Sequence, residues 1–199
     1  MKTIKYFFFI ALGSLLMAAD CSNKDSEFYN DIYLSVPNLI TIETKDSYAV
    51  NDVLYINSDN FSQFLDEPGQ PNLLDIFKTT GGAQSFNFTY MLEKKTADNS
   101  WQLVSLGPNL SVLKGFGEEN ELFVSALCIY NPLTKHYEMR HAITLSAPGD
   151  YRLSFGYNSA NTTGVDLRSD SIGNNLFANI NSATAHLDAG GFYNFSVTE

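Results

Sequence analysis

Three stretches of this chain alternate apolar and polar side chains with a period of two, a pattern that no helix can bury on one face. Phe86, Phe88, Tyr90 and Leu92 alternate with Asn87, Thr89 and Met91, and Tyr151, Leu153, Phe155 and Tyr157 with Arg152, Ser154 and Gly156. Tyr193, Phe195 and Val197 alternate with Asn194, Ser196 and Thr198 near the C-terminus. Successive side chains of a strand point to opposite faces, so each stretch is predicted to be a half-buried strand. Residues 39–43, 53–57, 101–106, 121–130 and 137–145 are further predicted strands, each bounded by turn-forming Asn, Asp, Gly or Pro. Helical turns are expected only at 61–65 and 72–77, with Asn60 or Asn72 as cap. Residues 158–190 are rich in Asn, Ser, Thr, Ala and Gly and read as long loops with one or two weak strands. Many short strands without a helical period predict an all-β, antiparallel sandwich.

The turn before the second alternating stretch reads Leu145-Ser146-Ala147-Pro148-Gly149-Asp150-Tyr151-Arg152-Leu153. It resembles the tyrosine corner of immunoglobulin-like domains, in which a Gly-containing turn precedes a Tyr whose hydroxyl bonds back to the chain. The resemblance implies a structural role for Gly149 and Tyr151. Leu153 stands where antibody domains carry a disulfide cysteine, so the disulfide-free relatives are the ones implied. Tyr48-Ala49-Val50-Asn51-Asp52 similarly resembles the Tyr-x-Val-Gly-Asp segment that leads into strand B of many bacterial immunoglobulin-like modules, with Asn51 in place of Gly.

The N-terminus carries a different message. Lys2 and Lys5 precede an apolar run from Phe7 to Ala19, and Cys21 is followed by Ser-Asn-Lys-Asp-Ser-Glu. At 1.5 Å per residue this run reaches about 20 Å as a helix, short of a bilayer core of roughly 30 Å. The order of charge, apolar run and cysteine resembles the signal peptide of bacterial lipoproteins, which implies lipidation of Cys21 after Ala18, Ala19 and Asp20. Lys24, Asp25 and Glu27 resemble the acidic export signal of Bacteroidota lipoproteins, which implies the outer membrane and its outward face. Cleavage after Ala18 or Ala19 is the alternative; it gives a secreted protein in which Cys21 can pair with Cys128. The expected organisation is a signal peptide over 1–20, a lipidated tether over 21–31 and a single β-sandwich domain over 32–199.

Charge narrows the partners. The 199 residues hold 12 Lys and Arg against 22 Asp and Glu, a formal net charge of −10. Such a surface repels phosphate backbones, so nucleic acid is not an expected partner and the membrane is reached through lipid alone. With Cys21 lipidated no intramolecular disulfide is available, and Cys128, inside the apolar run 122–130, reads as a protonated core thiol.

No catalytic signature is present: there is no Gly-x-Ser-x-Gly, no His-Glu-x-x-His and no Gly-Lys-Ser/Thr after Gly81-Gly82. His136 and Glu138 share one face of a predicted strand while His141 points to the other, so they do not converge on a metal. Residues 115–121 place Glu118, Glu119 and Glu121 in a Gly-bracketed turn without the spacing of a Ca²⁺ loop, and no cofactor is implied. Trp101, after a hairpin-like turn, and Tyr157, before a polar loop, are the candidate glycan contacts, because rings so placed can stack on sugars. Trp101 also shares a face with Leu103 and Ser105, which favours packing into the core. Sequons occur at Asn60, Asn87, Asn109, Asn161 and Asn194, and Asp170-Ser171-Ile172 resembles the O-glycosylation signal of Bacteroidota, with Ser171 the acceptor. The expected function is a surface accessory module binding a glycan or an envelope protein. An exported polysaccharide hydrolase and a purely structural or protein-interaction module are the alternatives.

Overall fold

The computed structural model describes residues 30–156 and 163–199. Cys21, the expected signal peptide and tether up to residue 29, Tyr157 and Asn161 lie outside the described residues. Asp31–Glu199 gather into one compact unit. Its strands are, in chain order, β1 (Asn30–Ser35), β2 (Thr41–Glu43), β3 (Tyr48–Ala49), β4 (Val53–Asn57), β5 (Phe64–Leu65), β6 (Leu74–Asp75), β7 (Ser85–Lys95), β8 (Trp101–Leu103) and β9 (Leu110–Lys114). They continue with β10 (Phe116–Glu119), β11 (Val124–Asn131), β12 (His136–Glu138), β13 (Arg140–Thr144), β14 (Gly149–Ser154), β15 (Gly164–Ser169), β16 (Leu176–Ala183) and β17 (Phe192–Thr198). Among the described residues, one α-helical turn, α1 (Ile76–Thr79), and one 3₁₀ turn, Gly107–Asn109, are the only helices, and none is long and apolar enough to cross a membrane.

β7 is the axis of the larger sheet, which runs β1-β16-β15-β7-β14-β17-β3, with β8 and β11 also paired to β7, and β10 and β12 to β11. Its first half pairs with β11 and β15, and its second half with β14 and β8. All these pairs are antiparallel, whereas β3 lies parallel beside β17. A second, antiparallel sheet has the order β2-β4-β13-β9. Phe86, Phe88, Tyr90 and Leu92 of β7 are at most 3% exposed and join Ile42, Leu54, Ile56 and Ile143 of the second sheet in one apolar cluster. The molecule is therefore all-β, with sheets covering a common core in sandwich fashion.

The predicted strand over 137–145 is two strands. β12 belongs to the larger sheet and β13 to the smaller, and the chain changes sheets at Met139. Ser58 substitutes for a strand neighbour at the crossing: its Oγ donates to Tyr137 O (2.7 Å) and accepts from Met139 N (2.6 Å), and its own N donates to Met139 O (3.0 Å). The chain also crosses at Gly115, between β9 and β10, where φ is +73° and a Cβ would run into the carbonyl oxygens of Leu127 and Glu138.

Elsewhere the expectations also need correction. The helical turn lies at Ile76–Thr79, not 61–65, and its cap is Asp75, whose Oδ1 accepts from Lys78 N at 3.0 Å. Phe61 instead packs in the core against Phe86 and Tyr137, with ring centroids at 5.0 and 4.9 Å. Residues 158–190, expected as long loops with one or two weak strands, hold two full strands, the six-residue β15 and eight-residue β16, which pair antiparallel. Small residues explain the weak sequence signal: Ala178 and Ser182 point inward where large apolar residues mark other strands.

Candidate functional site

The β7–β8 hairpin presents Trp101. Thr96 Oγ1 bonds to the carboxylate of Asp98, Asp98 also accepts from Ser100 Oγ (2.9 Å), and Asn99 adopts φ +64°. These bonds hold the Asp98 carboxyl below its ordinary pKa, the bond from Thr96 first among them. The turn sets Trp101 opposite Lys95 and Leu103 opposite Glu93. Glu93 in turn faces Arg152, Arg152 faces Asn194, Asp150 faces Ser196 and Ser154 faces Phe192. Directly paired residues share a sheet face, so all ten side chains belong to the face turned away from the core.

Trp101 is thus half-buried on the outer face and is not a core residue. Its companion Leu103 is 39% exposed, and the period of two was right while the choice of face was not. The Arg152 guanidinium lies over the Trp101 ring at 4.5 Å and over the Phe192 ring at 4.1 Å. Nε and Nη2 of Arg152 donate to the two carboxylate oxygens of Glu93, at 2.6 and 3.0 Å. This fork-on-fork pair fixes the guanidinium plane, so two aromatic rings and one cation form a rigid array. Asp188 positions the Phe192 end by accepting from Gly190 N (2.8 Å), Phe192 N (3.0 Å) and Asn194 Nδ2 (2.7 Å). The Phe192 N–H bond, followed by those of Asn194 and Gly190 and the charge of Arg152, keeps its pKa low. A shallow groove of about 290 Å³ runs beside the array, lined by Lys95, Trp101, Asp150, Tyr151, Asn194, Phe195 and Ser196.

On the inward side of β14, Tyr151 Oη donates to Ala147 O at 2.8 Å, and its ring stacks on Phe195 with centroids 5.6 Å apart. Gly149, at φ +142°, makes the preceding turn. On the other side of β14, Ser154 Oγ is buried and has no hydrogen-bond partner among the described residues. Arg152, Glu93 and Phe192 were not among the residues singled out from the sequence. The signal for Arg152 was its place between Tyr151 and Leu153 in an alternating strand, but no sequence pattern pairs it with residues some forty to sixty positions away.

The other candidates do not assemble into a site. His136 and Glu138 lie on β12, with His136 Nδ1 donating to Thr134 O (2.8 Å) and Glu138 accepting from Thr134 Oγ1 (2.7 Å). His141 is fully buried. Its Nε2 lies 3.1 Å from Phe116 O, which can only accept, so Nε2 carries the proton and Nδ1 accepts from Tyr90 Oη at 2.9 Å. Burial lowers the His141 pKa to about 4. Residues 116–119 are strand β10, not a turn, and Glu119 accepts from Leu106 N and Gly107 N at 2.5 Å each. Among the described residues no group of three His, Cys, Asp or Glu side chains is placed to hold a metal ion. Cys128 is free and buried, its thiol pushed up to about 12 by desolvation. Ser171 lies in the turn between β15 and β16, with Oγ bonded to Asn174 Oδ1 at 3.2 Å.

Compared with known proteins, the chain matches no family model, no curated protein and no solved structure.

Proposed function

We propose that this protein is a lipoprotein of the bacterial outer membrane, anchored through Cys21, whose immunoglobulin-like sandwich binds a glycan on the Trp101–Arg152–Phe192 face. The observation that carries the glycan reading is the array itself: rings held rigid on an outer sheet face, beside a shallow groove rimmed by Lys95, Asp150, Asn194 and Ser196. Rings give area for the apolar faces of sugars, and the polar rim gives directional partners for their hydroxyls.

The immunoglobulin-like reading is supported by strand order. The β2-β4-β13-β9 sheet follows an A-B-E-D arrangement, and β7, β14 and β17 sit beside one another as C, F and G. The Tyr151 bond to Ala147 falls at the start of the strand in the F position, and Asn51 has the positive φ (+73°) that suits a Gly at that place. β10–β12 and β15–β16 are then additions to the basic sandwich.

A polysaccharide hydrolase needs a carboxyl held protonated near neutral pH as its general acid. Among the described residues, the carboxyls with displaced pKa values, Asp52, Asp98, Glu138 and Asp188, are held low, which favours the binding reading. A glycan array with the purified protein is expected to give specific binding that Trp101→Ala weakens about tenfold or more. Absence of binding to any glycan, or binding untouched by the substitution, would overturn the proposal and leave a structural or protein-interaction module.

A further inference from the structure

Resting on the glycan reading above, we infer that the ligand is an uncharged or amino sugar, and that uronate-bearing and sulfated polymers are excluded. A face that binds anionic sugars needs uncommitted positive charge in excess of negative. Arg152, the cation at the centre of this face, is committed three ways: Glu93 closes two of its N–H groups at 2.6 and 3.0 Å, Trp101 covers one side of the guanidinium and Phe192 also lies against it. The Arg152 and Glu93 side chains are only 21% and 15% exposed, so their charges cancel at short range in a poorly solvated place. An incoming carboxylate or sulfate would have to compete with Glu93 for the fork, and a displaced Glu93 would be left a half-buried charge without its partner.

The surroundings of the pair point the same way. Asp150 and Asp188 flank it, and Lys95 is the positive group on the groove wall. Counting Arg152 and Glu93 as neutral, two carboxylates face one ammonium, on a chain whose net charge is −10. The same groups suit the hydroxyls of a neutral sugar. Asp150 accepts from Ser196 Oγ at 2.6 Å through one oxygen and Asp188 accepts from Asn194 Nδ2 at 2.7 Å, and a carboxylate has lone pairs enough for further sugar O–H donors. A guanidinium has five N–H groups, and those of Arg152 beyond the two on Glu93 are donors for ring and hydroxyl oxygens.

The test uses the purified protein against neutral glucans and mannans, chitosan oligosaccharides, polygalacturonate and chondroitin sulfate, with affinities measured at low and physiological ionic strength. The expected result is binding to a neutral or amino polymer, with little salt dependence for the neutral ones, lost in Trp101→Ala. Asp150→Lys, at an exposed rim position, is expected to admit the anionic polymers. Preferential binding of polygalacturonate or chondroitin sulfate by the wild type overturns the inference while leaving the glycan reading intact. Failure to bind any of the polymers sinks the glycan reading and the inference with it.

Discussion

His141 shows how much one buried polar side chain can control. It stands on the smaller sheet, accepts from Tyr90 of the larger sheet and donates to Phe116 of β10, so a single neutral imidazole ties three elements together. Gly117 makes room for it, since a Cβ there would come within 2.5 Å of the ring. Its pKa is about 4 in the fold against 6.5 unperturbed, so the unfolded chain takes up the proton first. Stability should be full above pH 6.5, fall as the pH drops through 6.5, and level off for this group below about 4, a loss on the order of 3 kcal/mol. The low-pKa carboxyls contribute their losses at more acid pH. Urea unfolding at several pH values should show the slope in wild type and not in His141→Gln; equal slopes in both would rule His141 out as the cause. Tyr151→Phe removes only the hydroxyl bonded to Ala147 and should cost on the order of 1 kcal/mol. No change in the denaturation midpoint would mean that this bond adds nothing to stability.

At the level of elements, the sequence was most readable where large side chains alternate. Residues 53–57 have the ends expected of them, the strands at 86–92 and 193–198 lie within β7 and β17, and the strand expected over 151–157 begins inside β14, which ends at Ser154. Legibility failed where the decisive partner is distant. Nothing local marks Met139 as a crossing, because the residue that completes its backbone bonding, Ser58, comes 81 positions earlier. β16 was hidden by its small inward residues. Trp101 was put on the wrong face because alternation says which residues share a side and not which side meets the core; the outward side is fixed by Arg152 and Glu93, which pairing alone brings together. Gly115 offers a direct check on the crossing. Gly115→Ala imposes both a positive φ and a clash with backbone carbonyls, so a loss of about 2 kcal/mol or more is expected by chemical denaturation. A variant as stable as wild type would show that β9 and β10 can part without cost.

At the scale of the whole molecule, the proposed anchor at Cys21 would hold the binding face at a membrane. Labelling cells with a clickable palmitate analogue is expected to mark the wild-type protein and not Cys21→Ala; an unlabelled, soluble wild type would support the secreted alternative. The two crossings described for Gly115 and Met139 have a consequence for how such a molecule comes apart. Each is a place where one continuous segment is a member of both sheets, and the two lie side by side, Gly115 pressed against the backbone of residues 138 and 139. The layers are in effect stitched here, as they also are by the short passage from β3 to β4 at residues 50–52. Fraying at an outer edge can stay local, but the layers cannot part at this point until the seam opens. Amide protons on either side of the seam should therefore exchange with solvent at one common, slow rate.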